Sequence, residues 1–268
     1  MSAEQLPHLE TFGGCMMGQL CPPALLVALS VLEGLFFAQH GLRSISFSYA
    51  QQTNAEQDAE AVTALRRLAV ELLPQVEWHI VIYSYMGVYP RTADGARRLL
   101  EESARLAVTT GAARLIVKTS AEAFRIPTIE ENVYALEAAA SAASAARSVS
   151  GPLRPGAGVC ADTGIYPQAR TLVDAVLELA DDLGRALRMA FACGYLDVPY
   201  CLHPDNAGRT RGYLDSAGRL QWQRIGSLPI RRIVELPGPT RMTSAGLVDS
   251  LSFVRNKFDQ AVLARSMG

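Results

Sequence analysis

The feature that most constrains the fold is a regular alternation of strand-like and helix-like segments before residue 150. Three segments rich in β-branched and aromatic residues begin at Ile45, His79 and Ala113, separated by two intervals of 34 residues. An apolar pattern of helical period follows each of them. Successive βα units of a parallel sheet or barrel produce such a period, whereas all-helical repeats of similar length lack the β-branched segments. The pattern therefore predicts an α/β fold with parallel βα units.

Capping residues mark where the intervening helices begin. Pro22 and Pro23 open a helix that runs to His40, because proline in the first helical turn loses no hydrogen bond. Side chains that can accept a hydrogen bond from a free backbone N–H precede the later helices. The predicted N-caps are Asn54, Thr92 and Thr128, and Glu131 completes a capping box with Thr128.

The strands account for half of a closed barrel. Three clear strands and one short strand near residues 9–12 are predicted, whereas a closed parallel barrel of this type has eight. A Gly/Pro-rich linker follows at residues 150–158. Beyond it we predict one long helix (166–193), a small β region (212–223) and a final helix (247–265). We expect a half-barrel of residues 1–150 and a helical and small-β extension of residues 151–268.

Composition excludes several classes of function. The net charge is −1 with charges of both signs interspersed, which argues against a nucleic-acid partner, because phosphate binding needs a concentrated basic surface. The apolar run at residues 23–38 is too short to span a bilayer and is predicted to be a buried helix. Five cysteines without a CxxC pair indicate neither a disulfide framework nor a metal site. We expect a cytoplasmic protein with ordinary thiols.

The candidate functional segment is the third βα unit. A buried strand there ends on Lys118, and Glu122 follows four residues later in a loop. Charged groups just past the carboxyl end of a parallel strand are where α/β proteins place their chemistry. The alternative is that Lys118 extends its charged end to solvent and Glu122 is a solvated loop residue.

Five segments, in order and at compatible spacings, resemble the large (epsilon) subunit of glutamate mutase, also called methylaspartate mutase. The likeness covers most of the chain. Its segments are Cys21-Pro22-Pro23, Met86-Gly87-Val88-Tyr89-Pro90, residues 118–128, Asp197-Val198-Pro199-Tyr200 and Asp205-Asn206-Ala207-Gly208-Arg209.

The resemblance implies a TIM-barrel subunit of an adenosylcobalamin-dependent isomerase. Such an enzyme, an intramolecular transferase, interconverts L-glutamate and L-threo-3-methylaspartate by a radical rearrangement of the carbon skeleton. It works with a separate small subunit that binds cobalamin. This chain lacks the Asp-x-His-x-x-Gly signature with which that small subunit ligates cobalt, so no metal ligand is assigned here.

The resemblance also implies which residues contact the cofactor. Lys118 and Glu122 match the pair that binds the ribose hydroxyls of the adenosyl group, and Ile126 matches an apolar contact. Tyr89 stands where the family has an aromatic residue against the cofactor, here tyrosine in place of phenylalanine. An anchor for its loop is the alternative role of Tyr89.

The likeness is to the later half of the family's subunit only. The arginines that clamp the substrate carboxylates and the glutamate that acts as base belong to the other half, so no catalytic residue is assigned in this chain. We expect a heteromer in which a partner chain supplies an N-terminal half-barrel and a glutamate-like substrate binds. The alternatives are self-dimerisation of half-barrels and a non-catalytic module that binds a partner or a nucleoside.

Overall fold

The computed structural model describes residues 6–12, 20–150, 162–238 and 242–266, without side-chain surroundings for 149–150 and 261–266. Its centre is a four-stranded sheet in which every neighbouring pair is parallel and the spatial order follows the chain. The α/β fold with parallel βα units is confirmed, and closure into a barrel stays a prediction. The strands are β1 (His8–Glu10), β2 (Ser44–Ala50), β3 (Glu77–Tyr83) and β4 (Arg114–Ile116).

Helices connect these strands at the predicted positions. The side chain of Asn54 accepts from the N–H of Gln57 at 2.9 Å, and Thr92 caps the next helix in the same way. The predicted capping box is present, since Thr128 and Glu131 each accept from the other's backbone N–H. The helices are α1 (Pro23–Gln39), α2 (Ala55–Leu72), α3 (Ala93–Thr109) and α4 (Ile129–Ser150).

The two faces of the sheet differ in chemistry because side chains alternate along each strand. One face carries Ile45, Phe47, Ile80 and Ile82, all buried in the apolar core with residues of α1 and α2. The other face carries polar side chains from all four strands. These include His8, Glu10, Ser44, Ser46, His79, Tyr83 and Arg114.

Strand β4 is shorter than predicted. The strand expected to be buried and to end on Lys118 ends at Ile116, and none of its three residues is buried. The side chain of Thr119 caps a short 3₁₀ helix, Ser120–Ala123, by accepting from the N–H of Ala121. Among the described strands β4 pairs only with β3, so no second neighbour extends it.

The single helix predicted at residues 166–193 is wrong. Two helices lie there, α5 (Ile165–Leu177) and α6 (Leu183–Cys193). Asp182, which lies inside the predicted helix, is the N-cap of α6 and accepts from the N–H of Arg185 at 2.8 Å. Gln39 strengthens the break, because its side chain bonds to both Asp182 and the N–H of Leu183.

The rest of the chain forms a hairpin and two more helices. The predicted small β region is an antiparallel pair, β5 (Thr210–Leu214) and β6 (Leu220–Ile225). The final predicted helix is interrupted at Ser252, giving α7 (Ser244–Leu251) and α8 (Phe253–Ser266). None of the helices in the described ranges is long and apolar enough to cross a membrane.

One apolar core draws on both sides of residue 150. Leu25 and Leu32 of α1 share it with Leu172 of α5 and Trp222 of β6. The predicted linker lies almost wholly outside the described residues, and the division into 1–150 and 151–268 stays a prediction.

Candidate functional site

The candidate site lies at the carboxyl edge of the parallel sheet. The loops after β2, β3 and β4 all leave the sheet at this edge, since the strands run in one direction. Gln51 joins two of the loops, because its side-chain oxygen accepts from the N–H of Tyr85 at 3.3 Å. The backbone oxygen of Ile116 accepts from Ser84 and so joins β4 to the loop after β3.

Lys118 and Glu122 form an ion pair at this edge. The Nζ of Lys118 donates to Oε1 of Glu122, and the 3₁₀ turn between them brings the carboxylate back toward the strand end. The side chains are 19% and 37% exposed, respectively, so ligand or solvent can reach both. The pair also lies beside Tyr89, whose ring centroid is 5.9 Å from the Nζ of Lys118.

Tyr89 is buried, and its hydroxyl makes no hydrogen bond within the described part of the chain. Burial, with the nearby charge of Glu122, raises the pKa of this phenol well above its ordinary value. The hydroxyl is therefore protonated at neutral pH. A buried donor without an acceptor costs about 1–3 kcal/mol of stability, which makes this atom an exception that needs a reason.

Ile126 does not pack against the other three predicted site residues. Its side chain is 90% exposed, at the end of the loop that leads into α4. The structure thus brings Tyr89, Lys118 and Glu122 together and leaves Ile126 in solvent. Beside Lys118, a cavity of about 420 Å³ opens between the first turns of α3 and α4, bordered by Asp94, Arg97 and Glu130.

A buried carboxylate supports the loop after β2. Asp58 accepts from the hydroxyl of Tyr49 at 2.8 Å and from the N–H of Gln52 at 3.0 Å. Burial raises the pKa of Asp58 to about 7, and these two hydrogen bonds only partly oppose that rise. Asp58 is an acidic residue in the first turn of α2, which is common in helices, so no local signal distinguished it.

Helix α8 holds the loop that carries Tyr89. Asp259 accepts from the N–H groups of Arg91 and Thr92 at 3.0 and 3.1 Å and from the Thr92 hydroxyl at 2.7 Å. The contact requires glycine at position 95, because a Cβ there would lie 2.7 Å from Oδ1 of Asp259. Asp259 is distant in sequence from Thr92, and no local signal reveals this contact.

The polar sheet face is itself a hydrogen-bonded network. Glu10 accepts from the hydroxyls of Tyr83 and Ser46, and the rings of His8 and His79 stack with centroids 5.3 Å apart. Arg114 lies 2.5 Å from Nε2 of His79. Burial, then Arg114 and His8, lowers the pKa of His79, so this ring is neutral at pH 7 and accepts from Arg114.

The charged pair suits a sugar diol. A lysine ammonium only donates and a glutamate carboxylate only accepts, whereas each hydroxyl of a diol does both. Bonds to ionised groups are also the stronger kind. Across the residues that the structure describes, no group of three or more His, Cys, Asp or Glu side chains could hold a metal ion.

The chain is similar to known proteins over most of its length. Residues 7–246 match the family described as Methylaspartate mutase E chain (MutE). The chain is 29% identical to the glutamate mutase epsilon subunit of Escherichia coli O157:H7, over 82% of this chain and 47% of the relative. It is 31% identical to the protein of the same name from Yersinia enterocolitica, over 84% of this chain and 48% of the relative. It is 30% identical to that from Halobacterium salinarum, over 82% of this chain and 46% of the relative.

The chain therefore spans about half the length of the curated relatives it matches. The match itself includes every strand of the parallel sheet and all three residues that meet at its carboxyl edge. This chain belongs to the methylaspartate mutase E chain family.

Proposed function

We propose that the chain is a component of an adenosylcobalamin-dependent glutamate mutase and supplies the wall that faces the adenosyl group. The observation that carries the proposal is the ion pair of Lys118 and Glu122, which lies beside Tyr89 at the carboxyl edge of the sheet. Family membership supports it, since the relatives are named glutamate mutase epsilon subunits.

The residues present fit the adenosyl group. Lys118 donates to one ribose hydroxyl and Glu122 accepts from the other, so the ligand replaces part of the contact that the two side chains make with each other. The ring of Tyr89 backs Lys118, and the exposed Ile126 covers an apolar surface of the ligand. The hydroxyl of Tyr89 is a further polar atom for which the residues described by the structure supply no partner.

When bound, adenosylcobalamin supplies the radical chemistry of the carbon-skeleton rearrangement. The contribution of this chain is to fix the ribose, to orient the adenosyl group over the edge of the sheet and to keep water from it. The cobalamin itself belongs to a small partner subunit. The substrate is glutamate-like, and the groups that clamp its carboxylates lie in the part of the family's sequence that this chain does not span.

The polar face of the sheet and the outer surface of α4 are where a second half-barrel would bind. Parallel sheets are normally covered on both faces, yet the helices described here pack on the apolar face or on one another. The helix after the edge strand β4 also exposes an apolar stripe, Ile129, Val133 and Leu136. We propose that βα units equivalent to the family's other half cover this stripe and extend the sheet from β4.

A non-catalytic module that binds a nucleoside or a partner is the rival. The observation that favours it is coverage, because the chain spans only about half of each relative. In that case the Lys118–Glu122 pair binds its ligand but no turnover follows with any combination of chains.

Turnover of L-glutamate to 3-methylaspartate tests the proposal. The assay combines this chain with adenosylcobalamin and a glutamate mutase small subunit, with and without the segment of an epsilon subunit that this chain does not span. We expect turnover only when that segment is added, and a large loss with Lys118→Ala. A matched control is Lys257→Ala, which removes another lysine–glutamate pair, that of Lys257 with Glu102.

Turnover without the added segment would contradict the proposed division of labour between the two halves. A folded chain that gives no turnover in any combination, but binds 5′-deoxyadenosine, would favour the binding module.

A further inference from the structure

Two side-chain hydroxyls in the described part of the chain are fully buried and have no hydrogen-bond partner, those of Thr53 and Tyr89. The residues are 6% and 4% exposed, respectively. Native proteins pair almost all of their buried polar side-chain atoms, so each exception needs a physical reason.

Buried hydroxyls elsewhere in the molecule do have partners. Tyr49 donates to Asp58, Thr210 donates to the backbone oxygen of Asp197 at 2.9 Å, and Ser30 donates to the backbone oxygen of Ser48 at 3.1 Å. The sequence therefore satisfies such groups where they serve only the fold.

The two unpaired hydroxyls share a location. Thr53 follows the carboxyl end of β2 and Tyr89 follows that of the neighbouring strand β3. The two loops are tied to each other through the Gln51 contact with the N–H of Tyr85. Both residues thus belong to loops at the edge of the sheet that also carries Lys118 and Glu122, and the ring centroid of Tyr89 lies 5.9 Å from the Nζ of Lys118.

We propose that the hydroxyls of Thr53 and Tyr89 are additional ligand contacts, reserved for the polar atoms of the nucleoside that Lys118 and Glu122 hold by its ribose. This inference rests on the proposed function and extends it to two residues. Tyrosine at position 89 then adds a hydrogen bond that phenylalanine cannot make. Both hydroxyl oxygens are buried, so the proposal requires the two loops to move apart where the nucleoside binds.

The proposal predicts effects of opposite sign on stability and on binding. Tyr89→Phe and Thr53→Val each remove an unpaired buried hydroxyl while keeping the shape of the side chain. Each should raise the Tm of the ligand-free chain by about 2–4 °C. Each should also weaken the binding of 5′-deoxyadenosine, measured by calorimetric titration of the full chain, by about 5–10-fold.

Matched controls make the same substitutions at paired hydroxyls. Tyr49→Phe and Thr210→Val remove hydrogen bonds that exist without ligand, so both should lower Tm. Thr210→Val lies in the hairpin and should leave the affinity for 5′-deoxyadenosine unchanged.

The outcomes separate this inference from the function on which it rests. If the unaltered chain binds 5′-deoxyadenosine and both Tyr89→Phe and Thr53→Val bind it equally well, the inference fails and the proposed function stands. If the unaltered chain does not bind it, both fail. A lower Tm for Tyr89→Phe or Thr53→Val would show that the hydroxyl has a partner without ligand, which also overturns the inference.

Discussion

The loop before the hairpin and the carboxyl edge of the sheet both bury polar groups, but they treat them differently. Asp197, before the hairpin, is 1% exposed and accepts from three consecutive backbone N–H groups, those of residues 208–210, at 2.7–2.8 Å. Nearby, the side chain of Asn206 bonds to the backbone of Val198 on both its N–H and its carbonyl. At the sheet edge, the hydroxyls of Thr53 and Tyr89 are buried and find no hydrogen-bond partner among the residues that the structure describes.

The difference separates polar groups that hold the fold from polar groups kept for a ligand. A buried group that serves only stability has every partner within the chain, because an unpaired one costs free energy. The hydroxyls of Thr53 and Tyr89 retain that cost, and a ligand can recover it on binding. Four predictions test the distinction, from the largest expected effect to the smallest.

Asp197→Ala should have the largest effect. It leaves three backbone N–H groups, of which that of Thr210 is buried, without their acceptor, so we expect the free energy of unfolding to fall by about 3–4 kcal/mol. Urea denaturation of the full chain measures this. Asp205→Ala in the same loop is the control, since that side chain is 83% exposed and its loss should leave the denaturation midpoint unchanged. Equal midpoints for the two variants would contradict the structural role of Asp197.

Asp58 should make stability depend on pH at the sheet edge. Its pKa in the folded chain is about 7, against an ordinary value of 3.8, so the folded state keeps the proton to higher pH than the unfolded state does. The resulting stabilisation is complete below about pH 4 and is lost as pH rises through 7. Between pH 5 and pH 8 the free energy of unfolding should fall by about 2.5 kcal/mol.

Asp58→Asn removes the titrating group, so this fall should disappear from the same pH series of urea denaturations. A wild-type profile that parallels the variant's would show that Asp58 is not buried as the structure describes.

Asp259→Ala should loosen the loop that carries Tyr89. The variant loses the acceptor for two N–H groups and one hydroxyl at the start of α3, and capping losses of this kind cost about 1–2 kcal/mol. Hydrogen exchange at Arg91 and Thr92 should accelerate, because those amides lose their acceptor. Gln260→Ala, at an exposed neighbour on α8, is the control. Unchanged protection at both amides would mean that α8 does not hold this loop.

Ile126→Ser should have the smallest effect on the free chain. Its side chain is 90% exposed, so Tm should not change, whereas a contact with the cofactor would make 5′-deoxyadenosine bind about 2–3-fold more weakly. Leu202→Ser is the matched control, since Leu202 is 98% exposed in the loop before the hairpin. Equal affinities in the two variants would remove Ile126 from the site.

Local sequence signals predicted most of the fold. Alternating Ile45, Phe47 and Tyr49 gave β2 its buried face, and the caps Asn54, Thr92 and Thr128 all fall at helix starts. The errors are of two kinds. Asp182 and Thr119 are residue types that cap helices, and their caps begin α6 and the 3₁₀ helix within segments predicted to continue. At the break between α5 and α6, Gln39 of α1 adds contacts that no local pattern reveals.

The residues of the candidate site also differ in whether a local pattern in the sequence reveals them. A local pattern and the resemblance to the family together singled out Lys118 and Glu122, and the structure pairs them. That the pair binds a ligand stays a prediction. The unpaired state of Thr53 and Tyr89 was not predictable, since it depends on everything that surrounds them. The same holds for the support that Asp58 and Asp259 give to neighbouring loops.

The most direct test of the central claim is the affinity of the full chain for 5′-deoxyadenosine with Lys118→Ala and with Glu122→Gln. We predict that the unaltered chain binds 5′-deoxyadenosine and that the control Lys257→Ala binds it equally well. Lys118→Ala and Glu122→Gln should each bind it about tenfold more weakly, because each loses a hydrogen bond from a charged group. Equal affinity in all four proteins, or no binding by the unaltered chain, would contradict the claim that this edge of the sheet holds the adenosyl group.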